Sequence, residues 1–384
     1  MDPRWYDELG LASLHAKMQE GERLTLDDGE QLFACSDVNA IGALAHEARY
    51  RRHGNRTTYV MNQHINYSNI CVNGCRFCAF GRRQGEPQAF QLSPSQFKEK
   101  IREKLDQPLS EIHIVGGCHP DLPFSYYEEL LHAVKELRPT ATIKAFTAVE
   151  IAHFARQQLW STREVLIRLQ SAGLAMLPGG GAEIFNPRVR RLLCPEKLSG
   201  EEWLRICGEA HELGIKTNAT MLYGHVETHR ERLEHLDALR RLQDRTGGIV
   251  CFIPLSFQPE NTRVEGVRPS TGVDDLKTIA ISRLMLDNVP HIKAYWIMLT
   301  VKLAQVALHF GADDLDGTVI EEKIGHMAGA QSDQAMTRTE LERVIREAGF
   351  DPVERDCLFQ PLAAAPAGKP VLKAETCGNV HVDR

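Results

Sequence analysis

At 384 residues, 43% apolar and 25% charged, with a formal net charge of −6, the chain has ordinary globular composition, enough for one large domain or two modest ones. The acidic balance leaves no basic footprint for nucleic acid. No apolar run approaches the roughly 20 residues of a membrane span, and the opening MDPRWYDELG is too acidic and mixed for a signal peptide.

Residues 1–56 read as an N-terminal helical extension, with helical spacing around DVNAIGALAHEARYRR. From residue 57 one grammar repeats: a short apolar or β-branched run, a glycine-rich or polar turn, then a helical pattern. TTYVMNQHIN (57–66) is the first predicted strand, followed by a cysteine loop. EIHIVGG (111–117) is the second, and SYYEELLHAVKELR after it has helical spacing. TIKAFTAVE and LAMLPGGGAE come next. SGEEWLRICGEAHELG opens with Ser199 and Glu202 at capping-box spacing. IKTNATMLYGHVE, GIVCFIPLSFQPENT, HIKAYWIML and ADDLDGT complete eight candidate strands.

Strands alternating with helices imply parallel βαβ units. The pattern predicts a closed (β/α)8 TIM-type barrel over residues 57–359, with an open doubly-wound sheet as the alternative. In such a barrel the chemistry gathers just after the strands, at one mouth. The unusual residues sit there: the cysteine loop, Gly116-Gly117, Gly179-Gly180-Gly181 and Gly224-His225. Residues 360–384, rich in alanine and proline, read as a loosely ordered tail, and Cys377 within it as incidental.

Of the ten cysteines, Cys71, Cys75 and Cys78 are clustered as C-x3-C-x2-C and the rest are scattered. That pattern suggests a reducing cytoplasm and metal binding rather than disulfides. Gly74 lets the backbone curl around a shared centre. A structural zinc site wants four protein ligands, usually from two knuckles, and a ferredoxin cluster also takes four cysteines. Three thiolates on a four-iron cluster leave one iron open, where a small molecule can bind and react. The S-adenosylmethionine (SAM) amino and carboxylate groups suit that position. Zinc with His64 as a fourth ligand, or three unrelated buried cysteines, are the alternatives.

This loop, with a small residue and an aromatic after it and a strand before it, resembles the radical SAM superfamily. The resemblance implies that Cys71, Cys75 and Cys78 hold a 4Fe-4S cluster and that Phe77 lies near the adenine through its backbone. It implies that Gly116-Gly117 brings backbone to the methionine amino group; a tight turn without a ligand is the other reading. Glu183, after three glycines, is placed to accept from ribose hydroxyls. Arg190 stands where related enzymes put a cation for the SAM carboxylate, although a solvated arginine between Arg188 and Arg191 reads as well. Cys194 reads as packing without a partner.

Within the superfamily, HINYSNICVNGCRFCAF resembles the subgroup containing the two radical enzymes of futalosine-dependent menaquinone synthesis and deazaflavin-forming FO synthase. GGCHPDLPFSYYEELL, IKAFTAVEIAHFA, LPGGGAEIF, TNATMLYGHVET, FIPLSFQPENT and DGTVIEEKIGHMAGA together most resemble the aminofutalosine synthase family, over residues 20 to 360. Cys118, where an aliphatic residue is usual, and Asn73-Gly74 inside the loop depart from that pattern.

The implied reaction adds the 5′-deoxyadenosyl group of SAM to 3-[(1-carboxyvinyl)oxy]benzoate. Rearrangement and loss of carbon dioxide follow, giving 6-amino-6-deoxyfutalosine. The implied partners are this aromatic dicarboxylate and a reductant such as flavodoxin or ferredoxin. The substrate needs cations or amide donors and apolar walls. His64, Lys144, His225, Gln258 and Lys293 lie near predicted strand ends, and Tyr223, Phe257, Tyr295 and Trp296 are candidate walls. Lys293, Tyr295 and Trp296 read rather as core or rim, and His64 and His225 are the catalytic candidates, read as substrate or nucleoside contacts with no proton transfer assigned to either. The rivals are a sister enzyme (dehypoxanthine futalosine cyclase or an FO synthase subunit) and, from another class, a non-catalytic iron–sulfur or zinc protein.

Overall fold

Thr57, Thr58 and Tyr59 begin an extended run that breaks once, at Met61, into β1 (Arg56–Val60) and β2 (Asn62–Ile65). The computed structural model describes residues 3–362, so the predicted tail lies almost wholly outside the described residues. Further along are β3 (Glu111–Ile114), β4 (Thr142–Ala145), β5 (Met176–Leu177), β6 (Lys216–Tyr223), β7 (Ile249–Ser256), β8 (His291–Ile292), β9 (Asp314–Gly317) and β10 (Asp351–Arg355). Strands β2 to β8 form a seven-stranded sheet in sequence order, every pair parallel.

The two halves of the first strand have different partners. The upper half, β2, pairs with β3, while β1 pairs with β10 on one side and β9 on the other. Parallel bridges Lys293↔Asp314 and Gln63↔Ile320 carry the sheet across β9 and back to β2. The ring is therefore a closed (β/α)8-type barrel with one extra strand at its seam. All eight strands predicted from the sequence are present. β10 was not predicted; its DPVER offers little apolar alternation, because Arg355 is ionically paired instead (below).

The helices between strands start where their sequences allow. Ser93/Gln96, Thr147/Glu150, Ser199/Glu202, Thr228/Glu231 and Thr337/Glu340 each form a reciprocal capping box, including the one expected at Ser199. Strand alternation puts Ile112, Ile114 and Ile143 on the helix-covered outside, and His113 and Lys144 on the inside.

The N-terminal helices pack on the flank and base of the barrel. Val38–His53 lies against Gly272–Met285 and the turn Leu308–Phe310, and a side chain at Gly42 would come within 2.5 Å of the Phe310 ring. At the base, Arg49 is fully buried and donates to the carbonyls of Ala312 (3.1 Å), Gly54 (2.6 Å) and Arg56 (2.8 Å). Among the described residues no helix is long and apolar enough to cross a membrane.

Candidate active site

A cavity of about 330 Å³ opens at the carboxyl ends of the strands. Cys71, Cys75, Cys78, Phe77 and Gly81 form one end of its lining, and His64, His113, Lys144, Asn218 and Lys293 line the strand interior. A second recess on the other side of the loop shares Cys71 and Cys78 and is bordered by Arg82, Arg83 and Arg263.

The cysteine loop is held mostly through its own backbone. The Cys71 amide donates to Arg82 O (2.9 Å), Val72 to Cys118 O (3.0 Å) and Arg76 to Leu193 O (2.8 Å). Two exposed arginines clip the loop from outside. Arg83 donates to Cys71 O (2.9 Å) and Val72 O, and Arg263 to Gly74 O (2.9 Å) and Cys75 O (3.2 Å). The Gly81 amide donates to Cys78 Sγ at 3.2 Å, an interaction that favours thiolate.

Two further thiols adjoin the loop. Cys118 hydrogen-bonds Cys71, which is the main reason the Cys71 pKa falls to about 6 while that of Cys118 is pushed well up. Cys194 does the same for Cys75, held down to about 7. Cys194 therefore has a partner, contrary to the reading of it as isolated packing. Burial raises the Cys78 thiol.

The glycine pair after β3 is dictated by packing. A Cβ at Gly117 would lie 2.2 Å from Ile70 O and 3.0 Å from Cys71 Cβ, and one at Gly116 would lie 2.7 Å from the Tyr67 ring. This turn presses directly on the entry to the cysteine loop. Its amides are occupied: Gly117 N donates to Ser68 O (2.8 Å) and Gly116 N to Glu150 Oε1 (3.1 Å). Glu150, buried on the cavity wall, also accepts from Tyr67 Oη (2.9 Å), and burial raises its pKa to about 7. Sequence reasoning missed it. The signal was the T-x-x-E spacing of Thr147 and Glu150.

Glu183 lines the cavity in left-handed backbone (φ 48°) and accepts from Lys197 Nζ at 2.6 Å. Lys197, also missed, sits 5.2 Å from the centroid of the Phe77 ring. Burial opposes its charge, but Cys75 and Glu183 outweigh burial and keep it protonated.

The remaining candidates divide. Arg190 is buried away from the cavity lining. It is neither solvated nor poised over the cavity: its guanidinium donates to Ala182 O (2.8 Å), Ile184 O (3.4 Å) and Leu198 O. His225 is also outside the lining, held between Leu222 O (2.9 Å) and the Glu227 carboxylate (2.7 Å). Tyr223 is bonded to Asp275 (2.7 Å), and Trp296 donates to Gly317 O (3.0 Å). His64, Lys144, Phe257 and Gln258 do line the cavity, and so do Lys293 and Tyr295, which the sequence had suggested were core or rim.

At the base of the barrel, His53, His291 and Asp313 bring three donor atoms within 4.8 Å of one another. The Asp313 carboxylate is already saturated by the Ile292 amide (2.8 Å), Arg283 and His291 (2.5 Å), so this cluster is a structural ionic knot.

A sequence profile of the radical SAM superfamily matches residues 65–239, and one of the CofH/MqnC C-terminal region matches residues 246–367. The chain is 48% identical to aminodeoxyfutalosine synthase of Thermus thermophilus, covering 94% of this chain and 96% of that one. It is 41% identical to 5-amino-6-(D-ribitylamino)uracil–L-tyrosine 4-hydroxyphenyl transferase of Methanopyrus kandleri, covering 93% and 96%. Among solved structures, methylornithine synthase superposes with a TM-score of 0.71 at 19% identity, over 88% of this chain and 97% of that one, a likeness of fold.

Proposed function

Because the chain belongs to the radical SAM superfamily, and within it to the aminodeoxyfutalosine synthase family, we propose that it joins the adenosyl group of SAM to 3-[(1-carboxyvinyl)oxy]benzoate. Carbon dioxide and methionine leave, and the product is 6-amino-6-deoxyfutalosine, on the way to menaquinone. The observation that carries the reading is the opening of three clustered thiols onto the same cavity as a buried polar interior.

The family works with a 4Fe-4S cluster and SAM. The site fits both. Three cysteines with lowered or amide-supported thiols face one cavity. We assign Cys71, Cys75 and Cys78 as the cluster ligands. Cys118, which also lines the cavity, serves as a hydrogen-bond donor to Cys71 rather than as a fourth ligand. When bound, the cluster supplies the electron that splits SAM into methionine and the 5′-deoxyadenosyl radical.

The chain's own residues do the rest. The Phe77 backbone, the Gly116-Gly117 turn and Glu183 surround the SAM position, with Lys197 fixing the Glu183 carboxylate. Arg190 acts indirectly, tying together the carbonyls of the Ala182–Ile184 turn that carries Glu183. Ile253, Leu255, Phe257 and Met298 give apolar walls without readily abstracted polar hydrogens. His64 is the histidine of the candidate pair that reaches the substrate space. Arg76, Arg83 and Arg263, all exposed around the loop, suit an acidic reductant protein such as flavodoxin or ferredoxin. The reading places the reaction in the cytoplasm and divides the chain into a helical extension (1–56), the barrel (57–359) and the tail (360–384).

The test is a substrate comparison with reduced, reconstituted protein and SAM, read by mass spectrometry. The expected result is an adenosyl adduct of 3-[(1-carboxyvinyl)oxy]benzoate. Free 5′-deoxyadenosine with cyclised dehypoxanthine futalosine, or a product from tyrosine and 5-amino-6-(D-ribitylamino)uracil, overturns the assignment in favour of a sister enzyme.

A further inference from the structure

Barrel interiors are usually filled by layers of branched apolar side chains. Here the layer beneath the cysteine loop is polar. His64, His113 and Lys144 are direct register partners on the neighbouring strands β2, β3 and β4. All three face the cavity, together with Asn218 of β6 and Lys293 just after β8. His64, Lys144, Asn218 and Lys293 are buried, and His113 nearly so.

The belt is not internally satisfied. His113 Nδ1 meets His64 Nε2 at 3.1 Å, but His113 Nε2 and Asn218 Oδ1 are buried without a partner. Lys144 spends one of its three N–H donors on Glu111 (2.6 Å). Buried polar groups without partners are costly unless a ligand completes them. Four carboxylates line the cavity, and each is already committed: Glu150 and Glu183 as described above, and two beside the belt. Asp316 accepts from Lys293 at 2.6 Å. Glu322 accepts from the Ile324 and Gly325 amides (2.8 and 3.0 Å) and lies against His326 (3.1 Å). The side with spare donors is that of Lys144 and His113; its own anion, Glu111, is paired through Oε1 with Lys144 and Asn62 and keeps Oε2 without a partner.

Resting on the reading above, we propose that Lys144 and the His64–His113 pair form the subsite for the ring carboxylate of the aromatic substrate. The chemistry of that substrate supports the assignment. The carbon that bonds to the adenosyl group is the vinyl CH2, so the vinyl ether with its own carboxylate lies towards the SAM position. The ring carboxylate, meta across the ring, is the group farthest from it. A ligand with its reacting end at the cysteine loop therefore presents the ring carboxylate to the deep belt, with the ring between Ile253, Leu255 and Phe257. In this arrangement Lys144 contacts substrate directly and His113 fixes the tautomer of His64.

The experiment is anaerobic titration calorimetry on the reconstituted protein with SAM and no reductant, so that nothing turns over. The ligands are 3-[(1-carboxyvinyl)oxy]benzoate and 2-phenoxyacrylate, which lacks only the ring carboxylate. Wild type is expected to bind the first at least about tenfold more tightly, as one charge-assisted hydrogen bond in a buried site requires. Lys144→Met alone leaves Glu111 charged and unpaired, so the double variant Glu111→Gln/Lys144→Met is used, and it is expected to bind the two ligands within about twofold. Equal binding of both ligands by wild type overturns the subsite without any variant, as does undiminished discrimination in the double variant. Failure of wild type to bind 3-[(1-carboxyvinyl)oxy]benzoate at all overturns the functional reading itself.

Discussion

The chemistry of the site rests on which thiols coordinate and which only support. Cys71, Cys75, Cys78 and Cys118 all line the cavity, and Cys118 donates to Cys71. Replacing any one of the three proposed ligands with alanine leaves two thiolates for a four-iron centre. Cys71→Ala, Cys75→Ala and Cys78→Ala are each expected to lose nearly all bound iron and all product after anaerobic reconstitution. Cys118→Ala is expected to keep full iron and sulfide content, and loss of iron there would make it a ligand. The sequence announced the first three cysteines by their spacing. It marked Cys118 only as a departure from the pattern and read Cys194 as packing, because their roles come from β3 and the helix Pro187–Leu193 being folded against a loop distant in sequence. His113 was hidden for another reason. In EIHI the isoleucines face the surrounding helices and the polar residues face inward, the reverse of the usual sheet in which apolar means interior.

At the level of elements, the segment after β9 closes one side of the cavity through Glu322 and Ile324. It is pinned by Glu322 and His326, four residues apart. Burial pushes the Glu322 carboxyl up, but His326 and the Gly325 amide outweigh it and hold its pKa low. The hydrogen bond to Glu322 raises His326 to about 9. The protonated imidazole is thus favoured by folding. Its stabilisation is complete below the unfolded value near 6.5 and is lost as pH rises through about 9. Wild type is expected to melt above His326→Gln at pH 6, with the gap closing by pH 10, as followed by circular dichroism. A gap independent of pH contradicts the pairing. The eight strands of this barrel were readable one by one from their local pattern, and one helix cap, Ser199, from its spacing. The extra strand β10 was not, since what holds it is a charge pair with β9 and no local pattern.

For the whole molecule, that pair closes the seam. Arg355 of β10 donates to both oxygens of Asp314 on β9, at 2.6 and 2.9 Å, beneath β1, with both side chains fully buried. Removing one partner strands a charge in the interior. Arg355→Met is expected to cost about 3–5 kcal/mol in denaturant unfolding. By contrast, Arg343→Ala, which breaks an exposed pair with Glu347 (2.9 Å), is expected to change stability by less than about 1 kcal/mol. A small loss at Arg355 would show that the seam is held elsewhere. The split of the first strand at Met61 also sets an order of events during synthesis. β1 emerges from the ribosome early, yet both strands that flank it come from residues 314–355. The ring around β1 is therefore complete only once residues 314–355 have been made.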